Sequence, residues 1–197
     1  MEKVVINDLK IKDKESKFRY ERKFLIKNLS LSDIIHIIKM NSSVFNNLFK
    51  KRRINNVYFD TIDLKNYYEN KEGDTNREKV RVRWYGETFD GIKKPNLEIK
   101  IKNGLLGKKK SIRLSHFNIY NFQSSFDQIK NHSIYYKHNI CNLYPVILNS
   151  YKRSYYISDD KDFRITVDSD QVYYKVSKDY NNYSVSVSDE SSIVLEI

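Results

Sequence analysis

Charged side chains in this sequence occupy alternate positions within segments that otherwise have the composition of β-strands. Arg81 and Arg83 alternate with apolar residues in KVRVRWY, and Glu98, Lys100 and Lys102 do so in LEIKIK. Because successive side chains of a strand point to opposite faces, each charged set lies on one surface and its apolar neighbours on the other. The pattern therefore predicts a sheet with one charged face and one apolar face. The same alternation includes Arg19, Glu21 and Lys23, then Tyr151, Arg153 and Tyr155, then Arg164, Thr166 and Asp168, and finally Glu196.

Two arrangements of such a sheet fit the pattern. An open antiparallel sheet leaves its charged face in water, which is common. A sheet closed into a barrel with the charges inward encloses a basic tunnel with carboxylates in its wall, and it has no exposed strand edges. A tunnel of that kind suits a polyanion and a divalent metal ion. The periodicity alone leaves both arrangements open.

Strand and turn spacing favours an α+β fold dominated by antiparallel pairing. Glycines between the strands mark hairpin turns, and helical spacing follows Ser30 or Ser32, either of which can cap a helix that extends toward Phe45 and Phe49. One or two further helices are predicted over 116–142. We expect a closed antiparallel β-barrel of about eight strands with flanking helices. The predicted strands are 18–26, one ending near Asp60, 78–85, 97–102, 109–114, 145–157, 163–168, 171–176 and 193–197.

Length and charge limit the class of protein. The chain has 197 residues, enough for one domain with a substantial core, and we divide it into an N-terminal arm or short helix at 1–17 and one domain at 18–197. A formal net charge of +11 favours a polyanionic partner. Nucleic acid is the weakest choice, because acids interleaved on the same strands repel a phosphate backbone.

The remaining composition excludes several kinds of site. The single cysteine, Cys141, excludes an internal disulfide, makes a zinc site improbable and is predicted to be buried as a small apolar residue. No apolar stretch approaches the length of a membrane span, and the N-terminus lacks the apolar core of a signal peptide, so we expect a cytoplasmic protein without a transmembrane segment. Glycine-rich phosphate loops and the Gly-x-Ser-x-Gly motif are absent.

A phosphate ligand would therefore be held by side chains. Arginine binds phosphate oxygens through a planar fork and lysine adds a mobile charge, so the strand arginines can grip a triphosphate along its length. Carboxylates among them are explained if they bind Mg²⁺ or Mn²⁺. Pairing of each acid with a neighbouring base explains them equally well. The arginines in question are Arg81, Arg83, Arg153 and Arg164, and the acids are Glu21, Glu98, Asp168 and Glu196.

The order of several segments resembles the VTC domain of polyphosphate polymerases. The resemblance runs from residue 18 to the end of the sequence. It rests on RYERKF at 19–24, VYFDT at 57–61, RVRWYG at 81–86, LEIK at 97–100, YKRSY at 151–155, RITVD at 164–168 and VLEI at 194–197.

That resemblance implies a triphosphate tunnel, the antiparallel barrel shared with the wider CYTH group of triphosphatases and adenylyl cyclases. It implies catalytic roles for Arg81, Arg83 and Lys100. It implies Glu196 as the principal ligand of Mn²⁺ or Mg²⁺, with Glu21 and Glu98 nearby. The phosphate-binding residues implied are Arg19, Lys23, Arg81, Arg83, Lys100, Lys102, Arg153 and Arg164.

The activity implied is a metal-dependent polyphosphate polymerase that uses ATP and polyphosphate. A CYTH-type triphosphatase and a non-catalytic module that binds polyphosphate, inositol phosphates or a nucleotide remain alternatives. In the family, the last strand usually reads Glu-x-Lys and a helix with another lysine follows; the sequence departs from that pattern after Glu196, and the departure bears on polymerase activity more than on phosphate binding. The sequence ends at Ile197. The oligomeric state is not indicated by any pattern in the sequence.

Overall fold

A nine-stranded antiparallel sheet forms most of the computed structural model, which describes residues 21–104, 106–131, 133–177 and 182–197. The predicted arm at 1–17, Arg19 and the start of the first predicted strand lie outside the described residues. The strands are β1 (Lys23–Ile26), β2 (Asn46–Asp60), β3 (Asn76–Tyr85), β4 (Lys93–Asn103), β5 (Leu106–Arg113), β6 (Tyr144–Ile157), β7 (Arg164–Val176), β8 (Tyr183–Asp189) and β9 (Ile193–Glu196). The helices are α1 (Leu31–Lys39), α2 (Lys65–Glu72), α3 (Phe122–Asp127) and α4 (Ser133–Lys137), with a 3₁₀ turn at Ile140–Asn142.

The strand order is β1-β9-β7-β6-β2-β3-β4-β5, and β8 adds to β7 outside this path. Every pairing is antiparallel. β1 and β5 are therefore the two ends, and no backbone ladder joins them within the described ranges. The antiparallel sheet and its flanking helices are confirmed, while closure of the barrel stays a prediction.

The predicted separation of faces is confirmed in the centre of the sheet. Val80, Val82 and Trp84 on β3 are at most 1% exposed, and they alternate with Arg81 and Arg83. The apolar face is covered at two places. Phe126 and Ile129 at α3 and Ile134 and Tyr135 of α4 pack in one core with the strand residues Val57, Phe59, Val80, Val82, Trp84, Leu97 and Ile99. Ile34 and Ile38 of α1 pack in a second core with Phe45, Tyr156, Ile165, Val167 and Ile193.

Helix α1 is capped by Ser30, one of the two predicted caps. The Ser30 hydroxyl accepts from the Asp33 backbone N–H, and the Asp33 carboxylate accepts from the Ser30 backbone N–H. This reciprocal capping box satisfies amide groups that a helix start would otherwise leave without partners. The helix ends at Lys39, so the prediction that it extends toward Phe45 and Phe49 is wrong: Phe45 packs from the loop and Phe49 lies on β2.

Three other sequence predictions need correction. The segments 163–168 and 171–176 form one strand, β7, in which Asp170 has a positive φ of 52° and the pairing with β6 shifts register nearby. The Ser/Val segment that forms β8 was not predicted to be a strand. Cys141 is exposed in the 3₁₀ turn, because its neighbour Ile140 takes the buried position. In the described part of the chain, no helix has the length and apolar character that crossing a bilayer requires.

Candidate functional site

The charged face of the sheet is assembled by strand register. Residues directly opposite one another in an antiparallel pair lie on the same face. On β2, β3 and β4 the register aligns Tyr58, Arg81 and Glu98 in one row. On β6 and β7 it aligns Arg153 with Asp168. We call this surface the inner face, and two groups of ion pairs lie on it.

The first group surrounds Glu98. Arg81 donates to Glu98 Oε2 from Nη2 at 2.6 Å and from Nε at 2.9 Å. Lys109 Nζ lies 3.2 Å from Glu98 Oε1, and Arg83 Nη1 lies 3.8 Å from Oε2. Arg81 also donates from Nη1 to the Tyr58 hydroxyl at 3.1 Å. Both oxygens of Glu98 are therefore bonded to cations, so a metal ion on this carboxylate would have to displace Arg81 or Lys109.

The charged forms of Glu98 and Arg81 stabilise each other. Burial opposes the charged carboxylate, but the charges of Arg83, Arg81 and Lys109 outweigh it and lower the pKa of Glu98 to about 2. Burial also opposes the charge of Arg81, and the neighbouring Tyr58 and Glu98 more than offset it, so the pKa of Arg81 is raised. Both partners are thus charged over the whole physiological range.

We expect the Glu98 group to make the fold sensitive to acid. A carboxylate whose pKa is lower in the folded than in the unfolded state contributes stability above the unfolded value, and that stability is lost as pH falls toward the folded value. With an ordinary pKa of 4.5 and a folded value of about 2, the window lies between about pH 5 and pH 2. By pH 3 the loss should be about 2 kcal/mol. Urea unfolding from pH 6 to pH 3 measures it, and the Glu98→Gln variant should lack this part of the pH slope. Equal slopes for the two proteins would contradict the prediction.

The second group surrounds Arg153. Its guanidinium forms a two-pronged pair with Asp168, in which Nη2 donates to Oδ2 at 2.6 Å and Nε donates to Oδ1. Glu196 Oε2 lies 3.8 Å from Arg153 Nη2 and 3.3 Å from Lys23 Nζ. Burial opposes the charge of Arg153, and the hydrogen bond to Asp168 with the charges of Tyr151, Asp168 and Glu196 raises its pKa overall.

Glu21 links β1 to β4 through side chains. Its Oε1 lies 3.2 Å from Lys23 Nζ and 3.4 Å from Lys100 Nζ. Lys23 is on β1 and Lys100 is on β4, next to the other end strand. Burial acts against the charge of Glu21, but Lys23 and Lys100 lower its pKa. The sheet therefore curves enough to bring β4 close to the residues around the start of β1.

The other predicted phosphate-binding residues are placed apart from these groups. Lys102 lines a separate cavity of about 430 Å³ together with Glu78 and His138. Arg164 is exposed at the start of β7, one alternation before Thr166. Arg19 lies outside the described residues. The structure thus brings Lys23, Arg81, Arg83, Lys100 and Arg153 onto one face with Glu21, Glu98, Asp168 and Glu196.

Sequence reasoning did not select three polar residues that support this face. Arg83 Nε donates to Asn56 Oδ1 at 2.8 Å, and Asn56 in turn donates to Asn149 at 2.9 Å. Tyr58 accepts from Arg81 as described above. Asn56 and Tyr58 are two residues apart in NNVYFDT, the same spacing as in the charged sets. The alternation therefore indicated that both lie on one face, but it was carried by uncharged residues. Lys109, which contacts Glu98, comes from the basic run at 108–110.

The three predicted metal ligands do not meet at one point. Glu98 is bonded to Arg81 and Lys109, while Glu196 and Glu21 both lie beside Lys23. Within the described ranges, no three His, Cys, Asp or Glu side chains lie close enough together to hold a metal ion.

Glu196 nevertheless has surroundings that fit a hydrated cation. Thr166 lies directly opposite Glu196 in the β7–β9 register, and its buried Oγ1 has no hydrogen-bond partner in the described structure. Mg²⁺ commonly keeps several waters and uses one or two carboxylates together with substrate phosphates. Oxygen donors of this kind fit Mg²⁺ or Mn²⁺ at Glu196, whereas a site made wholly of protein ligands does not fit.

Comparison with known sequences identifies the family. The sequence model of the VTC domain matches residues 18–197. The chain belongs to the VTC domain family. The predicted resemblance is therefore confirmed over the same residues on which it was based, although the comparison with curated proteins gave no match.

Solved structures match this chain at low sequence identity. A "putative adenylate cyclase" from Vibrio parahaemolyticus matches with a TM-score of 0.52 and 8% identity, over 91% of this chain and 76% of that one. A "putative adenylate cyclase" from Bacillus halodurans gives a TM-score of 0.48 and 13% identity, over 89% and 77%. The first similarity supports a common fold for this chain and the cyclase-like protein.

Proposed function

We propose that this VTC domain is a metal-dependent polyphosphate polymerase, which transfers the γ-phosphoryl group of ATP to a growing polyphosphate chain. The observation that carries the proposal is the set of arginines and lysines on the inner face, each beside a carboxylate, in a member of this family. We assign catalytic roles to Arg81, Arg83 and Lys100. The proposed phosphate-binding set adds Arg19, Lys23, Lys102, Arg153 and Arg164.

In the absence of a ligand, carboxylates offset the positive charge of these arginines and lysines and hold their side chains in place. Arg81 and Arg153 are each held by a carboxylate on the next strand, Glu98 and Asp168. Pairs of this kind fix the guanidinium planes, so less rotamer entropy is lost when phosphate oxygens bind. Lys23 and Lys100 are about half exposed and can turn from Glu21 toward a ligand.

Transfer needs little covalent chemistry from the protein. A terminal phosphate oxygen of the acceptor chain forms a bond to the γ-phosphorus, the bond from that phosphorus to the β,γ-bridging oxygen breaks, and ADP leaves with the electron pair. Arg81 and Arg83 would hold the transferred group in line, and Lys100 would neutralise charge on the acceptor or the leaving phosphate. Asp168, Glu98 and Glu21 would keep the cations oriented.

Proteins with this fold generally use divalent metals. A bound Mn²⁺ or Mg²⁺ would offset negative charge on the phosphate oxygens. We propose that Glu196 would be its main protein ligand and that the Thr166 hydroxyl opposite it would offer a further oxygen to the site. Glu21 and Glu98 were expected to assist, and we propose that they do so by fixing Lys23, Lys100 and Arg81.

Product analysis tests the proposal. We expect the purified chain, incubated with ATP and Mn²⁺, to form long-chain polyphosphate. The ADP formed should equal the phosphate incorporated into polyphosphate, and both should exceed the free phosphate released. Free phosphate without polyphosphate would favour a triphosphatase, in which water replaces the acceptor. No turnover, with a higher melting temperature in the presence of tripolyphosphate, would favour a binding module. Each of these two results would contradict the polymerase.

A further inference from the structure

Arg52 lies at the centre of a cluster of aromatic side chains. Its Cζ is 4.2 Å from the ring centroid of Tyr85, 4.8 Å from that of Tyr155 and 5.4 Å from that of Phe49. Its Nε donates to the Tyr155 hydroxyl at 3.1 Å, and Phe49 packs edge-on against Tyr155 at 5.5 Å. We call these four residues the Arg52 cluster.

The Arg52 cluster continues the inner face beside Arg153 and beyond Arg83. Arg52 lies directly opposite Arg153 in the β2–β6 register. Tyr85 follows Arg83 by two residues on β3, so it is on the same face about 7 Å further along the strand. Tyr85 is also the last residue of β3. The cluster is therefore next to the proposed phosphate path, at the end of β3.

The contacts of Arg52 differ from those of the other inner-face arginines. Arg81 and Arg153 each bind a carboxylate through two bonds. Among the ion pairs of the described residues, none includes Arg52, whose planar group is instead in contact with rings. The cluster is also accessible, since the exposed fraction is 54% for Phe49 and 37% for Tyr85. A partly exposed group of aromatic rings around a guanidinium plane is unusual for a site that binds only phosphate oxygens.

We propose that the Arg52 cluster is a stacking site for the base of a nucleoside triphosphate, whose phosphates extend to Arg83 and Arg81. This inference rests on the proposed function, because it requires phosphate binding on the inner face. Aromatic rings and arginine planes stack on nucleobases, and each ring is worth roughly 1–3 kcal/mol of binding when it is removed. A purine presents a larger surface than a pyrimidine, so purine nucleotides should bind more tightly. Inorganic phosphate chains have no group that fits this surface.

Matched ligands with and without a base test the proposal. Isothermal titration with ATP and with inorganic tripolyphosphate, both with Mg²⁺, separates the base from the phosphates. Tyr85→Leu should weaken ATP binding about tenfold, the effect of roughly 1.4 kcal/mol of lost stacking. Its Kd for tripolyphosphate should change by less than about twofold. Phe49→Leu should behave in the same way with a smaller effect, and CTP should bind the unchanged protein more weakly than ATP.

Tyr136→Leu is the control. Tyr136 is 70% exposed on α4 and packs on Tyr135, away from the inner face, so its loss should affect neither ligand. A Tyr85→Leu protein that loses both ligands equally, or neither, would overturn the base site and leave the proposed phosphate tunnel intact. An unchanged protein that binds neither ligand would overturn the proposed function and the base site together. Thermal unfolding of each variant checks that a selective loss does not come from a damaged fold.

Discussion

Replacing Arg81 with methionine is expected to lower the free energy of unfolding by about 3 kcal/mol or more, because the change leaves a buried carboxylate without its closest cation. The Glu98 side chain is 7% exposed, and Arg81 makes both of its contacts shorter than 3 Å. Lys109 at 3.2 Å and Arg83 at 3.8 Å remain, and they should allow the variant to fold. Urea unfolding at pH 7, followed by circular dichroism, measures the loss.

A double-mutant cycle separates the ion pair from packing. Arg81→Met together with Glu98→Gln removes both charges, so the double variant should be more stable than Arg81→Met alone. Arg53→Met is the matched control, since Arg53 is half-buried on the opposite face of β2 and donates to the neutral Ser150 hydroxyl at 3.0 Å. It should cost less than Arg81→Met. A loss below about 1 kcal/mol for Arg81→Met would mean that the pair contributes little net stability.

The composition of each face was predictable because alternation is a local property of the chain. Arg81 and Arg83 share a face whose reverse holds Val80 and Val82, as the spacing in KVRVRWY indicates. The identity of each partner was not predictable. Glu98 meets Arg81 because β3 and β4 pair in one particular register, and Glu196 meets Lys23 because the last strand pairs with the first. Sequence alone left metal binding and ion pairing as equal explanations of the acids, and geometry gives every one of them a cationic neighbour.

The fold errors have physical causes as well. β8 alternates serine with valine and tyrosine, a weak pattern, and it forms along β7, which supplies the hydrogen-bonding partner. Asp170 carries a turn-type φ at the break predicted between 168 and 171, but the strand β7 continues through it. The sequence did not predict the Arg52 cluster, because its residues come from three strands. A register shift also separates Phe49 from Arg52 on β2. Its members come together only after β2 has paired with both β3 and β6.

Replacing Arg83 with glutamine should reduce polyphosphate synthesis at least 100-fold, about the loss expected when a positioned donor to a developing phosphate charge is removed. The fold should tolerate this change better than Arg81→Met. Glutamine can keep a hydrogen bond to Asn56, and Glu98 retains Arg81 and Lys109. We expect the free energy of unfolding to change by no more than about 1 kcal/mol. The measurements are ADP and polyphosphate formation at saturating ATP with Mn²⁺, and urea unfolding of the same preparations.

Arg53→Gln is the matched control for this variant. Arg53 belongs to the same sheet and, like Arg83, donates to a neutral side chain, but it lies on the opposite face. Loss of synthesis in Arg83→Gln and not in Arg53→Gln would place the requirement for positive charge on the inner face. Full activity of Arg83→Gln would contradict the catalytic role of Arg83. Equal loss in both variants would attribute the effect to the sheet as a whole, since two arginines on opposite faces cannot both contact one phosphate chain.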